Sequence, residues 1–499
     1  MTTKEQANQP EVEQQTEVSV IDKIMERVDT KEKKDALAVF LDLVGDEFEE
    51  ERLNKSVVSS YINRIDEILS EQMDEIIHSK EFQELEAAWR GVEYIIKNAK
   101  FDKPIRIELL DVPKEELFDD LNNAFLGESY ENESDFWRHI FWGAYDKFKS
   151  HPYSAIITDY QLENSGQDIG LLKHLSNLSE RAQVPVIANV KPEFFEKDNF
   201  NDVMNDPFLY DTLTGDSNYD EWREFRDEDR SKYLGLCMPR FLGRSPYSEN
   251  STVRAKKFNY KEAIVEKDEE TQKDKNNNLW CSSSMALAAN MVKSFEKWGW
   301  SIKLVGLDSG GLLTHLPRNE YEENGEKQQK PAVEVTIGAI RENQLCKLGF
   351  IPLAQMDTTR EAVFFQVPSA YKPKDVEDPQ EKATSELGAQ LPYTMLLCRI
   401  AHYLKYRQLQ FVGTTKKASD IEEDLNNWLN SFVSRGVNLS DEQIARKPLK
   451  EASVKVTPIP TKPGYFQIVA ELSPHVAIVG MDIKLKLVAT EDDPTQQKK

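Results

Sequence analysis

The chain has 499 residues, with 63 Lys and Arg against 87 Asp and Glu, for a formal net charge of −24. That length implies about two to four domains and a large buried core. The acidity disfavours a general binder of nucleic acid or anionic membrane, since phosphates would be repelled at long range.

No run of about 18 apolar residues occurs, and the opening stretch from Met1 to Gln15 is polar and acidic, so a cytoplasmic protein without membrane insertion is expected. Cys237, Cys281, Cys346 and Cys398 are widely separated, which predicts buried free thiols rather than a zinc knuckle or redox pair. The seven histidines never fall at ligand spacing on one helix, and nothing argues for a metal or other cofactor.

Taken in order, Thr16 to Ile21 alternates briefly, with Val18 and Val20 on one side. A strand so short must borrow a partner or stay disordered. From Val58 the series Ile62, Ile65, Leu69, Met73 and Ile76 keeps helical spacing, and after His78-Ser79-Lys80 it resumes in Phe82, Leu85, Trp89, Val92 and Ile96. That reads as a helical hairpin or a kinked long helix.

Ile105 to Leu109 alternates as a strand, and strands at 154–158 and 185–190 flank a helical run from Asp168 to Ala182. Strand, helix, strand at that separation predicts a parallel crossover unit in a covered sheet. Residues 222–247 mix arginines, aromatics, prolines and glycines, the composition of a fixed irregular loop. Helix 283–298 follows, with strands near 302–305, 333–337 and 362–367. The charged segments 266–278 and 318–330 have the composition of exposed mobile loops.

After residue 380 a helix carries Leu397, Ile400, Ala401 and Leu404 on one stripe. Ser419-Asp420-Ile421-Glu422 has a capping-box pattern opening a helix whose Leu425, Trp428, Leu429 and Phe432 face one way and whose carboxylates face another. Three short strands close the chain, marked by Val454 and Val456, by Phe466 and Ile468, and by Ile483, Leu485 and Leu487. No helix follows to cover them.

Of the chemical motifs, Asp308-Ser309-Gly310-Gly311 matches the surroundings of a chymotrypsin-like nucleophile. Such an enzyme needs an all-β fold and an upstream histidine and aspartate in a set geometry. The alternative, a cytosolic serine hydrolase using Ser309, is therefore weaker than a glycine turn in which positive φ costs little. No phosphate-binding loop is present. Arg240, Arg244, Arg254, Lys256 and Lys257 form the one local basic cluster. It reads either as a single-strand-binding strip or, preferably in so acidic a chain, as arginines pairing with carboxylates or rings at a fold or subunit boundary.

The wording of residues 229–247, with Phe82 to Val92, Trp222 to Arg226, Trp298-Gly299-Trp300, Leu348 to Leu353, Leu391-Pro392-Tyr393, Arg399 to Lys405 and Leu472 to His475, resembles the TssC family. These VipB-, ImpC- and EvpB-like proteins are the large subunits of the contractile sheath of type VI secretion systems. The likeness runs from about residue 55 to the end. It departs at Lys149 to Tyr153 and Ala182 to Val186, where the family's turns differ. The resemblance implies a structural subunit with no catalytic residues. It would pair with a small TssB-like subunit and with other copies of itself in a helical sheath around an Hcp tube, beside baseplate components, and the AAA+ ATPase ClpV would act on the contracted form.

The expected fold is thus α+β with a mixed α/β core: an interprotomer arm at 1–30, helices over 31–100, a sheath core over 101–380, and C-terminal helices and strands over 381–499 completed by neighbouring subunits. Val18 and Val20 would enter a sheet with Val454, Val456, Phe466, Ile468, Ile483, Leu485 and Leu487 of another protomer, together with a strand from the small subunit. Glu422, Glu423 and Asp424 would face the tube, and Arg240 and Arg244 would serve an interface.

Overall fold

The computed structural model describes residues 55–126, 134–142, 151–247, 258–264, 277–308, 310–317, 319–323, 326–355, 361–411, 416–436, 438–459, 466–475 and 485–489. Val18, Val20, Ser309 and Ile483 lie outside these residues. The chain divides into two compact units, Met1–Leu69 and Ser70–Lys499. In the first, residues 55–69 belong to helix α1 (Lys55–Ile77), and its Ile62, Ile65, Ile68 and Leu69 are exposed.

In the second unit, α2 (Lys80–Lys97) and α3 (Lys114–Leu126) precede a parallel sheet built from β1 (Ile156–Leu162), β2 (Val186–Val190), β3 (Leu234–Met238) and a later strand, β9 (Phe350–Pro352). Helix α4 (Gly166–Ala182) crosses from β1 to β2, as the spacing predicts. Ser165 caps it by accepting the Asp168 N–H, and Gln183 ends it in the left-handed conformation. Helix α5 (Asp220–Asp227) leads into β3.

Every residue of β2 and β3 is buried, because both faces of the sheet are covered. Val186, Ala188, Val190, Leu234, Leu236 and Met238 join one apolar cluster with α4 and α5, and Ile187 and Cys237 join another. The second cluster is closed by helix α6 (Ser283–Trp298), which follows β4 (Phe241–Leu242) and β5 (Trp280–Cys281). Buried Asn189 fixes α6 to the sheet: its Oδ1 accepts the Ser284 N–H at 2.9 Å, and its Nδ2 donates to the Thr158 carbonyl and the Ser284 hydroxyl.

Then come β6 (Leu312–Leu313), β7 (Asn319–Glu323), β8 (Glu326–Lys330), α7 (Ala339–Lys347), β9 (Phe350–Pro352), β10 (Ala354–Gln355) and β11 (Ala362–Val363). The chain ends in α8 (Pro379–Gly388), α9 (Leu391–Phe411), α10 (Ala418–Asn430), α11 (Asp441–Arg446), β12 (Leu449–Pro458), β13 (Phe466–Pro474) and β14 (Leu485–Ala489), the last three forming one antiparallel sheet.

Several expectations need correction. Residues 105–109 form no strand: Ile107 packs inward, but Leu109 is exposed and no strand pairs with the segment among the described residues. Near 302–305 and 333–337 only Val305 and Val333 make isolated bridges, and the strand at 362 stops at Val363. Residues 318–330 are not simply a loop, since β7 and β8 pair as a hairpin. The segment 222–247 is not one irregular loop, because it supplies the helix α5 and the central strand β3. The C-terminal sheet is covered, by α10 from before it in the chain: Ile421, Leu425 and Leu429 bury Val454, Val456, Ile468, Ala470 and Leu472.

Helix α2 packs by a different face from the one its large residues suggest. Ala87, Gly91, Tyr94 and Ile95 meet the core. Leu85 and Trp89 are 58 % and 60 % exposed, and Phe82 and Ile96 are exposed with them.

Candidate interaction site

The C-terminal sheet has two outer strands, and the chain treats them differently. β12 pairs with β13 in antiparallel register, with Val454 opposite Ala470 and Val456 opposite Ile468. On the far side of β12, Asn426 of α10 accepts the Val454 N–H through Oδ1 and donates from Nδ2 to the Val454 carbonyl, both at 2.9 Å. The Glu422 carboxylate accepts the Val456 N–H at 2.8 Å. Nearer the start of β12, the Leu449 N–H donates to the Phe432 carbonyl and the Leu449 carbonyl accepts the Ser434 N–H. Among the described residues β14 pairs only with β13, Leu485 standing opposite Leu472 and Leu487 opposite Ala470.

The structure therefore brings together Val454, Val456, Phe466, Ile468, Leu485 and Leu487 in one sheet. Val454, Val456 and Ile468 are buried and Phe466 is half-buried.

The three carboxylates expected to face outward have separate fates. Glu422 is half-buried on β12, Asp424 pairs with Lys416, and Glu423 is exposed. Their helix starts at Ala418, one residue before the Ser419 with which the pattern begins. The Asp420 carboxylate accepts the Lys417 N–H, closing the first turn.

The two arginines are braced inside the chain. Arg240 donates twice to Glu334, at 2.9 and 2.6 Å. Arg244 donates to Glu262 at 2.6 and 3.2 Å and to Glu86 at 3.0 Å, and lies over the Tyr247 ring. Glu262 also accepts from the Tyr247 N–H and bonds the His78 ring at 3.1 Å. Burial opposes its charge, yet His78 and Arg244 outweigh burial and hold its carboxyl below the usual range. A neighbouring bond runs from the Tyr260 hydroxyl to Asp74 at 2.5 Å. Reading the sequence missed Glu262, Glu334 and His78 as partners, since their separations in the chain carry no local pattern.

Beside Ser309, Gly310 has a φ of +102°, and a Cβ on Gly311 would stand 2.4 Å from the Phe364 carbonyl oxygen. Both glycines are thus dictated by the turn itself. The four cysteines are buried and free, and burial pushes their thiols up. Among the described residues no cluster of His, Cys, Asp and Glu could hold a metal ion, and no helix is long and apolar enough to cross a membrane.

Two family models match the chain: EvpB/VC_A0108, tail sheath N-terminal domain (VipB), over residues 59–371, and EvpB/VC_A0108, tail sheath gpW/gp25-like domain (VipB_2), over residues 380–490. The class they define is that of tail sheath proteins. A similar curated protein is the type VI secretion system sheath protein TssC1 of Pseudomonas aeruginosa, 31 % identical over 434 residues that cover 87 % of this chain and 85 % of that one. The chain belongs to the EvpB/VipB tail sheath family, that of the large TssC-type subunits, and is a structural subunit of a contractile sheath.

Two solved structures are more distant. A chain of the anti-feeding prophage baseplate is 10 % identical, with 81 % of this chain and 83 % of that one covered at a TM-score of 0.35. The contracted helical sheath of the same system is 15 % identical, with 67 % and 77 % covered at 0.28.

Proposed function

We propose that this subunit pairs with a small TssB-like subunit and polymerises in the cytoplasm as a helical sleeve around a tube of stacked Hcp rings. Contraction drives out the tube with its spike and effectors. Baseplate components anchor the assembly, and a ClpV-type AAA+ ATPase dismantles the contracted form. The observation that carries this reading is the C-terminal sheet, whose last strand, β14, has a partner on only one side among the described residues. An extended arm from a neighbour, with Val18 and Val20 on one face, adds to such a sheet through backbone hydrogen bonds while alternate side chains set the register. A head-to-tail contact of that kind, when it does not close, yields a helical polymer.

No chemical step is required. The work comes from rigid bodies exchanging one packed arrangement for another while arms keep neighbours tethered. The uncovered stripe of Phe82, Leu85 and Trp89 offers further surface to neighbouring subunits. Of the acidic residues on α10, Glu423 is the one left to meet a basic band on the tube. Arg240 and Arg244 serve assembly indirectly, by holding the core rigid.

Co-expression with the small subunit and imaging for tubules tests the reading. Removing residues 1–25 is expected to leave soluble heterodimers but no sheaths by electron microscopy, and normal sheaths would refute the arm. Serine-reactive probes are expected to leave Ser309 unlabelled, whereas labelling would revive a hydrolase.

A further inference from the structure

Trp298, Gly299 and Trp300 form the turn that ends α6, and it is pinned in place. Gly299 takes a φ of +81°, Trp300 is buried edge-on to Phe432, and its indole N–H donates to the Arg446 carbonyl at 3.2 Å. Cations gather on this platform. Lys297 stands 4.5 Å and Arg446 5.8 Å from the centre of the Trp298 ring, and Arg399 lies 4.5 Å from that of Phe295 and 5.5 Å from that of Trp300. Lys293 is one turn back from Lys297 on α6, and burial holds its ammonium below the usual range.

Helix C-termini favour cations, which accounts for Lys297 at the end of α6 and Arg446 at the end of α11. It does not account for Arg399, nor for what the group lacks. Among the described residues no carboxylate forms an ion pair with Lys293, Lys297, Arg399 or Arg446, in a chain with 87 acidic residues against 63 basic ones.

The complementary surface lies on the other side of the core. Helix α5 joins the apolar cluster on one face of the parallel sheet, and α6 joins the cluster on the opposite face. Residues 193–229 hold 13 Asp and Glu against three Lys and Arg. On α5, Trp222, Phe225 and Arg226 turn inward and leave Glu221 and Glu224 exposed, paired with no cation among the described residues. Just upstream, Phe208 is 66 % exposed on a turn fixed by Arg341, which donates to the Met204 carbonyl at 3.1 Å and the Asp206 carbonyl at 2.5 Å.

We infer that the cationic platform around Trp298 in one copy docks on the acidic face of α5 in another. Opposite potentials select the partner and its orientation. Anchors already fixed by their own fold lose little freedom on binding. Two different patches on opposite sides of one core make a head-to-tail contact, which propagates where it does not close. A nucleic acid would also suit rings set among cations, but a net charge of −24 repels it. The inference rests on the sleeve reading above and adds a contact distinct from strand addition.

Charge reversal tests it in sheaths assembled with the small subunit and counted by electron microscopy. Lys297→Glu with Arg446→Glu, and separately Glu221→Lys with Glu224→Lys, are each expected to lower the yield about tenfold or more. All four together should restore it. Normal sheaths from either double variant would overturn the contact. Loss in both without recovery on combination would overturn the pairing of these two faces and give them to the tube or the small subunit. The melting temperature of the heterodimer reports whether each variant folds. Should one fail, Lys297→Cys and Glu224→Cys in a single chain decide: crosslinking between copies by a flexible bifunctional maleimide supports the inference, and sheaths that form without crosslinking overturn it. Absence of sheaths from the parent chain sinks polymerisation itself, whereas parental sheaths that tolerate a reversal sink only this contact.

Discussion

The guanidinium of Arg244 and the carboxylate of Glu262 face each other across two hydrogen bonds, with side chains only 4 % and 1 % exposed. The pair is joined to α2 through Glu86 and to the turn after α1 through His78. Removing one partner of a buried pair leaves the other charge uncompensated, so Arg244→Ala is expected to cost about 3–5 kcal/mol. A double replacement by apolar residues should cost less than the sum of the two single changes. Urea unfolding of the four members of the cycle checks this, and additive losses would show that the two groups act independently.

Stability should fall as solutions are acidified below neutrality, and His402 is one cause. Burial holds its imidazole down at about 4, assisted by Lys405 and Arg399 and opposed by the bond to the Ala182 carbonyl. The unfolded chain takes up a proton near the ordinary value of 6.5, whereas the native chain does not until about 4. The contribution is therefore fully present above 6.5 and is lost progressively as pH falls toward 4. From the size of that shift it amounts to roughly 3 kcal/mol. His174, also lowered by burial, acts in the same direction. His402→Gln should flatten the dependence of the urea midpoint between about pH 7 and about pH 5, and an unaltered slope would assign it to other groups.

Gly311→Ala should be among the most damaging small changes. The added methyl would meet the backbone at Phe364, Gly306 and Val305, and none of these atoms is the movable end of a side chain. A loss of about 3 kcal/mol is expected from overpacking of this kind. A melting temperature within a degree or so of the parent would mean that the turn has slack.

Legibility in the sequence followed the physics of each segment. Residues 166–182 and 283–298 carried helical spacing between clear stops, and β2 was bounded by Pro185 and Lys191, so all three could be placed. Strand β3 was hidden because it is buried on both faces and so shows no alternation, and its arginine- and proline-rich surroundings pointed to a loop. The alternation at 105–109 holds in burial only as far as Ile107, since Leu109 is exposed, and no strand pairs with it among the described residues. On α2, large residues outvoted small ones, although Gly91 lies tight against Met285 and marks the packed face.

The candidate site was half legible. Alternation gave the C-terminal strands, but their cover was sought downstream when it lies upstream in α10. One signal could have found the bonds from α10 to the edge of β12: Glu422 and Asn426 are four residues apart and interleave with Ile421, Leu425 and Leu429, so they flank the buried stripe.

The acidic residues of α10 make a final, separable prediction about the tube. Reversing Glu422, Glu423 and Asp424 together would confound a lumen contact with damage to the subunit, because Glu422 holds β12 and Asp424 holds Lys416. Glu422→Lys should lose roughly 1 kcal/mol through the Val456 N–H. Glu423→Lys should leave stability within about 0.5 kcal/mol, as an exposed position allows. If α10 lines the lumen, Glu423→Lys alone will lower co-assembly with the tube, and more so at low ionic strength where surface charge is least screened. Undiminished co-assembly of that single variant, with the small subunit and tube protein both present, removes α10 from the lumen.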